Sequence, residues 1–180
     1  FSVSQTIGCA PLSVQFNDQT QIGDAPIQSY IWDFGDGVNA STANPSHTYT
    51  NPGTYSITMI PTDSNGCSAD TISPGLISVV PTPTASFSAN PTSGCVVPHV
   101  VNFTDNSSGT GAMSYLWDFG DGNTSSLANP SHSYSNFGSY SVTLVVTDAS
   151  GCSDTITQSN LIQINSLVAD FTVSDTVICE

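Results

Sequence analysis

Apolar side chains in this chain alternate with polar ones over short runs, and Gly, Pro, Asn or Asp closes each run. Val14 and Phe16 flank a single polar residue, as do Val101 and Phe103. Tyr30, Trp32 and Phe34 fall on one face of the next run. Tyr55, Ile57 and Met59 share a face further on, and so do Tyr140, Val142, Leu144 and Val146. Successive side chains of a strand point to opposite faces, so a period of two predicts strands with one face turned inward. Many short strands separated by turn residues predict a sandwich, an all-β fold. Gly35-Asp36-Gly37 predicts a tight turn after the Trp strand. The expected structural core is Tyr30, Trp32, Phe34 and Tyr55, with Tyr115, Trp117, Phe119 and Tyr140 as their later counterparts. Burying one Trp ring removes ~150–250 Å² from water, worth roughly 4–6 kcal/mol.

The pattern occurs twice. Ser29–Gly37, with its Trp-Asp-Phe-Gly-Asp-Gly, returns 85 residues later as Ser114–Gly122. Ala43–Tyr49 returns as Ala128–Tyr134, Gly53-Thr54-Tyr55 as Gly138-Ser139-Tyr140, and Asn65–Ser68 as Ser150–Ser153. A period of this length is a domain rather than a solenoid unit. Phe1, Phe87 and Phe171 each stand eight residues before a Cys, so a third copy is expected to open near the C-terminus. The expected organisation is a first sandwich over 1–80, a Pro-rich linker over 81–84, a second sandwich over 85–165, and the first strand of a third repeat over 166–180. Two prolines in the four-residue linker favour an extended, semi-stiff connection. The chain opens on Phe1 with no initiator Met and no signal-peptide pattern, as expected of a mature product or a fragment.

Charge narrows the functions available. Lys and Arg are absent, while Asp and Glu number 14, giving a formal charge of -14. An ordinary soluble domain is ~25% charged, with both signs present. Without Lys there is no Schiff-base chemistry and no phosphate-loop lysine. Without Arg there is no guanidinium clamp. Nucleic acid and anionic membranes both need cationic contacts, so neither is an expected partner. Ion pairs between side chains can form only through His. A hydrophobic share of 38% and an aromatic share of 9% still suffice for packed cores. No apolar run approaches the ~18 residues of a membrane span, so no direct membrane insertion is expected.

Trp-Asp-Phe-Gly-Asp-Gly, then Asn-Pro-Ser-His-x-Tyr, then Gly-x-Tyr-x-(Val/Ile)-Thr and an Asp-rich turn together closely resemble the PKD (polycystic kidney disease) domain family, in both repeats and over nearly their whole length. The resemblance implies tandem immunoglobulin-like β-sandwiches. It implies that Tyr55 and Tyr140 are the corner tyrosines of that fold, with Ile57 and Val142 in the place of its second core Cys. It implies a non-catalytic role. Tandem copies with paired Cys look like large secreted bacterial surface proteins. The five cysteines, Cys9, Cys67, Cys95, Cys152 and Cys179, fit disulfides in an oxidising compartment. Within the implied sandwich, Cys9 and Cys67 sit in turns at opposite ends, whereas a disulfide needs Cα atoms within ~7 Å. Cys9–Cys152 is therefore favoured, with Cys67 pairing to a preceding repeat and Cys95 and Cys179 to following ones. Cys9–Cys67 with Cys95–Cys152 is the alternative, and free thiols are a third possibility.

Other residues invite chemistry. Asp18 with Asp63, and Asp105 with Asp148, are candidate calcium ligands expected at one end of each repeat, with Asn17, Asn65 and Asn106 adding oxygens. Turn capping is the competing reading of these Asp residues; beyond calcium no cofactor is expected. His47 and His132 are expected to pack beside the core aromatics rather than serve a triad, and His99 is expected at the surface. Thr71, Thr155 and Thr176, each in Asp-Thr-(Ile/Val), resemble an acceptor pattern for bacterial O-glycosylation. Ordinary strand Thr is the competing reading. Asn39, Asn102, Asn106 and Asn123 match the N-glycan sequon, as chance matches would in such a composition.

The leading expectation is a structural segment of a long extracellular fibre, stalk or adhesin, with further copies of the same repeat as partners. The alternative is a carbohydrate- or protein-binding accessory module of a secreted hydrolase. Most aromatics alternate onto inner faces, leaving Phe137, where the first repeat has Pro52, as the best exposed candidate for a glycan or protein contact. The residues after Asn165 would either begin a third sandwich or add to the sheet edge of a neighbouring chain.

Overall fold

The structure, a computed structural model, describes residues 1–21, 23 and 25–166. Cys179, Thr176 and the opening of the third repeat lie outside the described residues, apart from Ser166. The described residues are all strand, turn and loop, and no helix among them is long and apolar enough to cross a membrane.

The first repeat contributes β1 (Ser2–Val3), β2 (Ile7–Cys9), β3 (Leu12–Asn17), β4 (Ile27–Asp33), β5 (Asn39–Ala40), β6 (Ser46–Tyr49), β7 (Gly53–Asp63) and β8 (Thr71–Val80). They form a three-stranded sheet in the order β1-β3-β6 and a five-stranded sheet in the order β2-β8-β7-β4-β5. The second repeat contributes β9 (Phe87–Asn90), β10 (Ser93–Gly94), β11 (His99–Asp105), β12 (Ser114–Asp118), β13 (Thr124–Ser125), β14 (Ser131–Tyr134), β15 (Gly138–Thr147) and β16 (Ser153–Ile164). Its sheets run β14-β11-β9 and β10-β16-β15-β12-β13, the same topology. Both repeats are thus immunoglobulin-like β-sandwiches. In each, a very short strand pairs in parallel with the last strand: β2 with β8 (Cys9 opposite Val80) and β10 with β16 (Gly94 opposite Ile164).

Alternation does what the pattern requires. In β3, Leu12, Val14 and Phe16 are buried while the residues between them are exposed. The first core joins these to Trp32, Phe34, Tyr49, Ile57, Met59, Ile77 and Val79. The second core repeats it with Val101, Phe103, Trp117, Phe119, Tyr134, Val142, Leu144, Ile162 and Ile164. Each Trp is fully enclosed and donates its ring N–H to a backbone carbonyl, Trp32 to Thr42 at 2.9 Å and Trp117 to Leu127 at 2.8 Å. Each buried N–H therefore keeps a partner.

Two expectations about the core need correction. Tyr30, Tyr55, Tyr115 and Tyr140 are only half-buried; they pack against the core from its rim. Their hydroxyls explain this, because each seeks a polar partner. Tyr55 donates to the Asn51 carbonyl at 2.8 Å and Tyr140 to that of Asn136 at 2.9 Å, both four residues upstream as in a tyrosine corner. The fully buried tyrosines are instead Tyr49 and Tyr134, whose hydroxyls donate to the carbonyls of Phe34 and Phe119, both at 3.1 Å.

His99 also departs from its expected surface position. It stands opposite Tyr134, as Leu12 stands opposite Tyr49, so it replaces a core Leu. Its ring is half-buried over Gly94, and its Nε2 is enclosed without a hydrogen-bond partner.

By contacts the chain divides into two compact units. One comprises Phe1–Pro83 together with Gly109–Met113 and Thr147–Asp154. The other comprises, among the described residues, Thr84–Ser108, Ser114–Val146 and 155–166. Two segments of the second sequence repeat thus belong to the first compact unit. The linker is also engaged: Pro83 is buried, and Thr84 exchanges two backbone hydrogen bonds with Ser108 at 2.7 and 3.0 Å.

Candidate functional site

The Trp-Asp-Phe-Gly-Asp-Gly segment is built as a clamp. Asp33 Oδ1 accepts the Gly35 N–H at 2.8 Å, and Asp36 Oδ1 accepts that of Val38 at 3.1 Å, so each Asp closes its own turn. The free oxygen of the second Asp then reaches across to the next sheet. Asp36 Oδ2 meets His47 Nε2 at 2.7 Å, and Asp121 Oδ2 meets His132 Nε2 at 2.8 Å. Each imidazole lies flat on a Phe, His47 on Phe34 with ring centres 4.4 Å apart and His132 on Phe119 at 4.2 Å. Each also meets a buried Tyr edge-on at 4.6 Å. The His rings therefore pack beside the core aromatics. Burial pushes the Asp121 carboxyl up, but the hydrogen bonds from His132 and Asn123 outweigh it and hold it below its ordinary 3.8.

The four carboxylates considered for calcium each serve a turn. Burial pushes Asp18 up, but the hydroxyl and N–H of Thr20 and the Tyr30 hydroxyl, 2.8 Å from Oδ2, outweigh that and hold it low. Burial, then the hydrogen bond to Asp105, raises the Tyr115 hydroxyl. Asp105 Oδ1 also accepts the Ser107 N–H at 3.0 Å. Asp63 and Asp148 hold the turns described below. Thr20 and Asp63 line one depression of about 190 Å³, so Asp63 and the loop held by Asp18 do share an end of the first repeat. Among the described residues no three of His, Cys, Asp and Glu gather into a metal-binding group.

Cysteine chemistry is where the described residues converge. Cys9 and Cys152 are joined by a disulfide with Cα atoms 5.7 Å apart and 143 residues apart in sequence, both within the first compact unit. The alternative pairings, Cys9–Cys67 and Cys95–Cys152, are not formed, and Cys67 and Cys95 are exposed free thiols. Asp148 fixes the turn behind Cys152: its Oδ1 accepts the N–H of Ser150 and of Cys152, and its Oδ2 accepts the Thr110 hydroxyl at 3.0 Å. Thr71 and Thr155 are exposed in the last strand of each repeat, and Asn39, Asn102, Asn106 and Asn123 are exposed as well.

The second repeat carries a groove of about 610 Å³ beside the end of β16, lined by Phe137, Gly138, Ser139, Asn160 and Gln163–Ser166. Sequence reasoning singled out Phe137 but not the groove. Asn160 lies in the left-handed region (φ 52°), where the first repeat has Gly75 (φ 59°).

A model of the PKD domain matches residues 3–74 and again 78–164. The chain belongs to the PKD domain family. Its two PKD repeats are similar to segments of larger proteins. The pre-pro-metalloprotease PrtV of Vibrio cholerae is 55% identical over 56 residues, 31% of this chain and 6% of that protein. A microbial collagenase of Vibrio alginolyticus is 50% identical over 50 residues, 28% of this chain and 6% of the enzyme. Collagenase ColA of Bacillus cereus is 43% identical over 54 residues, 29% of this chain and 6% of the enzyme. The chain thus spans only about 6% of the length of these relatives. Among solved structures, the PKD1 domain of Vibrio cholerae PrtV is 44% identical, covers 47% of this chain and 99% of its own, and aligns with a TM-score of 0.40.

Proposed function

We propose that this chain is a non-catalytic structural segment of a long extracellular repeat protein, in which PKD sandwiches follow one another and are tied covalently. The observation that carries this reading is the Cys9–Cys152 disulfide. It encloses most of both repeats in one covalent loop. A pull along the chain then passes from Cys9 through the bond to Cys152 and bypasses the residues between them, so the load falls on the segments outside the loop, β1 and β2 in the first repeat and β16 in the second. Disulfides persist in oxidising compartments, which supports a location outside the cell. A surface without Lys or Arg offers no trypsin site, a useful property there. Further copies of the repeat are the natural partners. Electron microscopy of native particles tests the reading: extended arrays of beads support it, and compact particles built around a catalytic domain contradict it.

A second reading has its own support. The relatives that share PKD sequence are a metalloprotease and collagenases. An accessory module that binds glycan or protein for a secreted hydrolase would have the same fold. Phe137, 47% exposed at the rim of the groove in the second repeat, would be its contact residue. Specific retention of the chain on a glycan array or on immobilised collagen, lost in Phe137→Ser, would favour this reading over the first.

A further inference from the structure

The turn that ends in Cys67 and the turn that ends in Cys152 have the same construction. Asp63 Oδ1 accepts the N–H of Asn65 at 2.9 Å and of Cys67 at 2.8 Å. Asp148 Oδ1 accepts that of Ser150 at 2.9 Å and of Cys152 at 3.1 Å. The Asp N–H donates to the Cys carbonyl at 2.9 Å in both, and Gly66 and Gly151 have φ of +83° and +82°. The backbone therefore presents both sulfurs alike. What differs is their surroundings: Cys152, bonded to Cys9, is fully buried, and Cys67 is bare.

The receiving edge also repeats. Cys9 ends β2 one residue after Gly8 pairs with Val79, and Cys95 follows Gly94, which pairs with Ile164 at the equivalent place on β16. At this edge of the second repeat Cys95 is free, Val96 beside it is 68% exposed, and the Phe137 groove lies against Gln163 and Ile164, the residues that pair with β10. A grooved edge with a free thiol and two exposed apolar side chains, Val96 and Phe137, is the counterpart of one already filled in the same chain.

We propose that the Cys95 edge of one chain receives the Asp63–Cys67 turn of a second copy, and that Cys67–Cys95 disulfides join copies head to tail. The proposal deepens the structural-repeat reading and rests on it. The contact is heterologous, and a joined pair keeps one free Cys67 at one end and one free Cys95 at the other, so the chains grow instead of closing into a pair. The oxidant is a disulfide of the glutathione class. The Cys67 thiolate attacks it and releases one glutathione thiol. The Cys95 thiolate of the second copy then attacks the mixed disulfide and releases the other, so two protein thiols are oxidised and one glutathione disulfide is reduced.

The test uses the whole chain carrying Cys179→Ser, held in a glutathione redox buffer, digested without reduction by an Asp-directed protease and mapped by mass spectrometry. Cys67–Cys95 linked peptides should exceed Cys67–Cys67 and Cys95–Cys95 peptides at least tenfold, with a ladder of oligomers on a non-reducing gel. Adding Cys67→Ser or Cys95→Ser should leave each variant monomeric, while a mixture of the two stops at dimers. Phe137→Ser, with an unchanged near-ultraviolet circular dichroism spectrum, should slow the ladder several-fold. Linked peptides in random proportion, or both thiols ending as glutathione adducts, would overturn the proposal while the Cys9–Cys152 peptide persists. Absence of the Cys9–Cys152 peptide would instead overturn the structural reading beneath it.

Discussion

At the scale of single residues, the first glycine of each Trp-Asp-Phe-Gly-Asp-Gly turn is demanded twice over. Gly35 has φ of +80°, and a Cβ there would lie 2.5 Å from the Ser56 carbonyl oxygen; at Gly120 the distance to the Ser141 oxygen is 2.3 Å. Gly37 has a similar φ of +90° but open space around it. Urea melts should therefore show Gly37→Ala costing about 1–2 kcal/mol, the left-handed penalty alone, and Gly35→Ala costing more, about 3 kcal/mol or above with backbone strain added. Equal costs would mean that the close approach is absent. Asp121 predicts a pH effect of definite sign. Its carboxyl is held below 3.8 in the folded state, so its contribution is complete above that pH and is lost as pH falls through the lower folded value. Asp121→Ala should cost about 1–3 kcal/mol at neutral pH, because it strips a charged acceptor from His132 and Asn123. It should also flatten the decline in stability below pH 4, as acid titration followed by tryptophan fluorescence would show. The Asp–His pair was not legible in sequence. Its members are 11 residues apart, the Asp in a turn and the His on a strand of the other sheet, and only the folded turn brings the second carboxylate oxygen to the imidazole.

At the scale of elements, the long strands were legible because a period of two over five or more residues has few other readings. The short ones were not. Two- and three-residue strands such as β10 and β2 have no period, and their parallel pairing with β16 and β8 is a tertiary fact. Tyr49 was missed as a core residue because it is the lone buried side chain in Ser-His-Thr-Tyr. His99 was misplaced because the loop from Cys95 to His99 is one residue longer than that from Cys9 to Leu12, which shifts its counterpart from Ser13 to Leu12. The Cys9 partner could not come from spacing, since the rhythm of about 85 residues by which the cysteines recur serves either pairing; the ends to which the turns belong decide it. The bond's consequence for stability follows from its loop. Closing 143 residues restricts the unfolded chain by up to about 5 kcal/mol. Cys9→Ser with Cys152→Ser should lower the urea midpoint accordingly, and reductant should do the same to the parent chain but nothing further to the double variant. A midpoint indifferent to both changes would remove the bond from the stability account.

At the scale of the whole molecule, the chain has a charge of -14 and no Lys or Arg to offset it. Among the described residues its side-chain ion pairs are two His–Asp contacts, each inside one repeat. Cohesion therefore comes from two aromatic cores, Asp-closed turns and a covalent tie, and those features run through both PKD repeats alike. The central claim is that this tie makes the tandem repeats one covalent loop that a pull along the chain bypasses. Single-molecule stretching between the N- and C-termini tests it most directly. Without reductant, the 143-residue span between Cys9 and Cys152 should never extend, whatever force opens the flanking residues. With reductant, about 500 Å of additional contour length should appear, released in two steps as the sandwiches open. The full extension appearing equally with and without reductant would contradict the account.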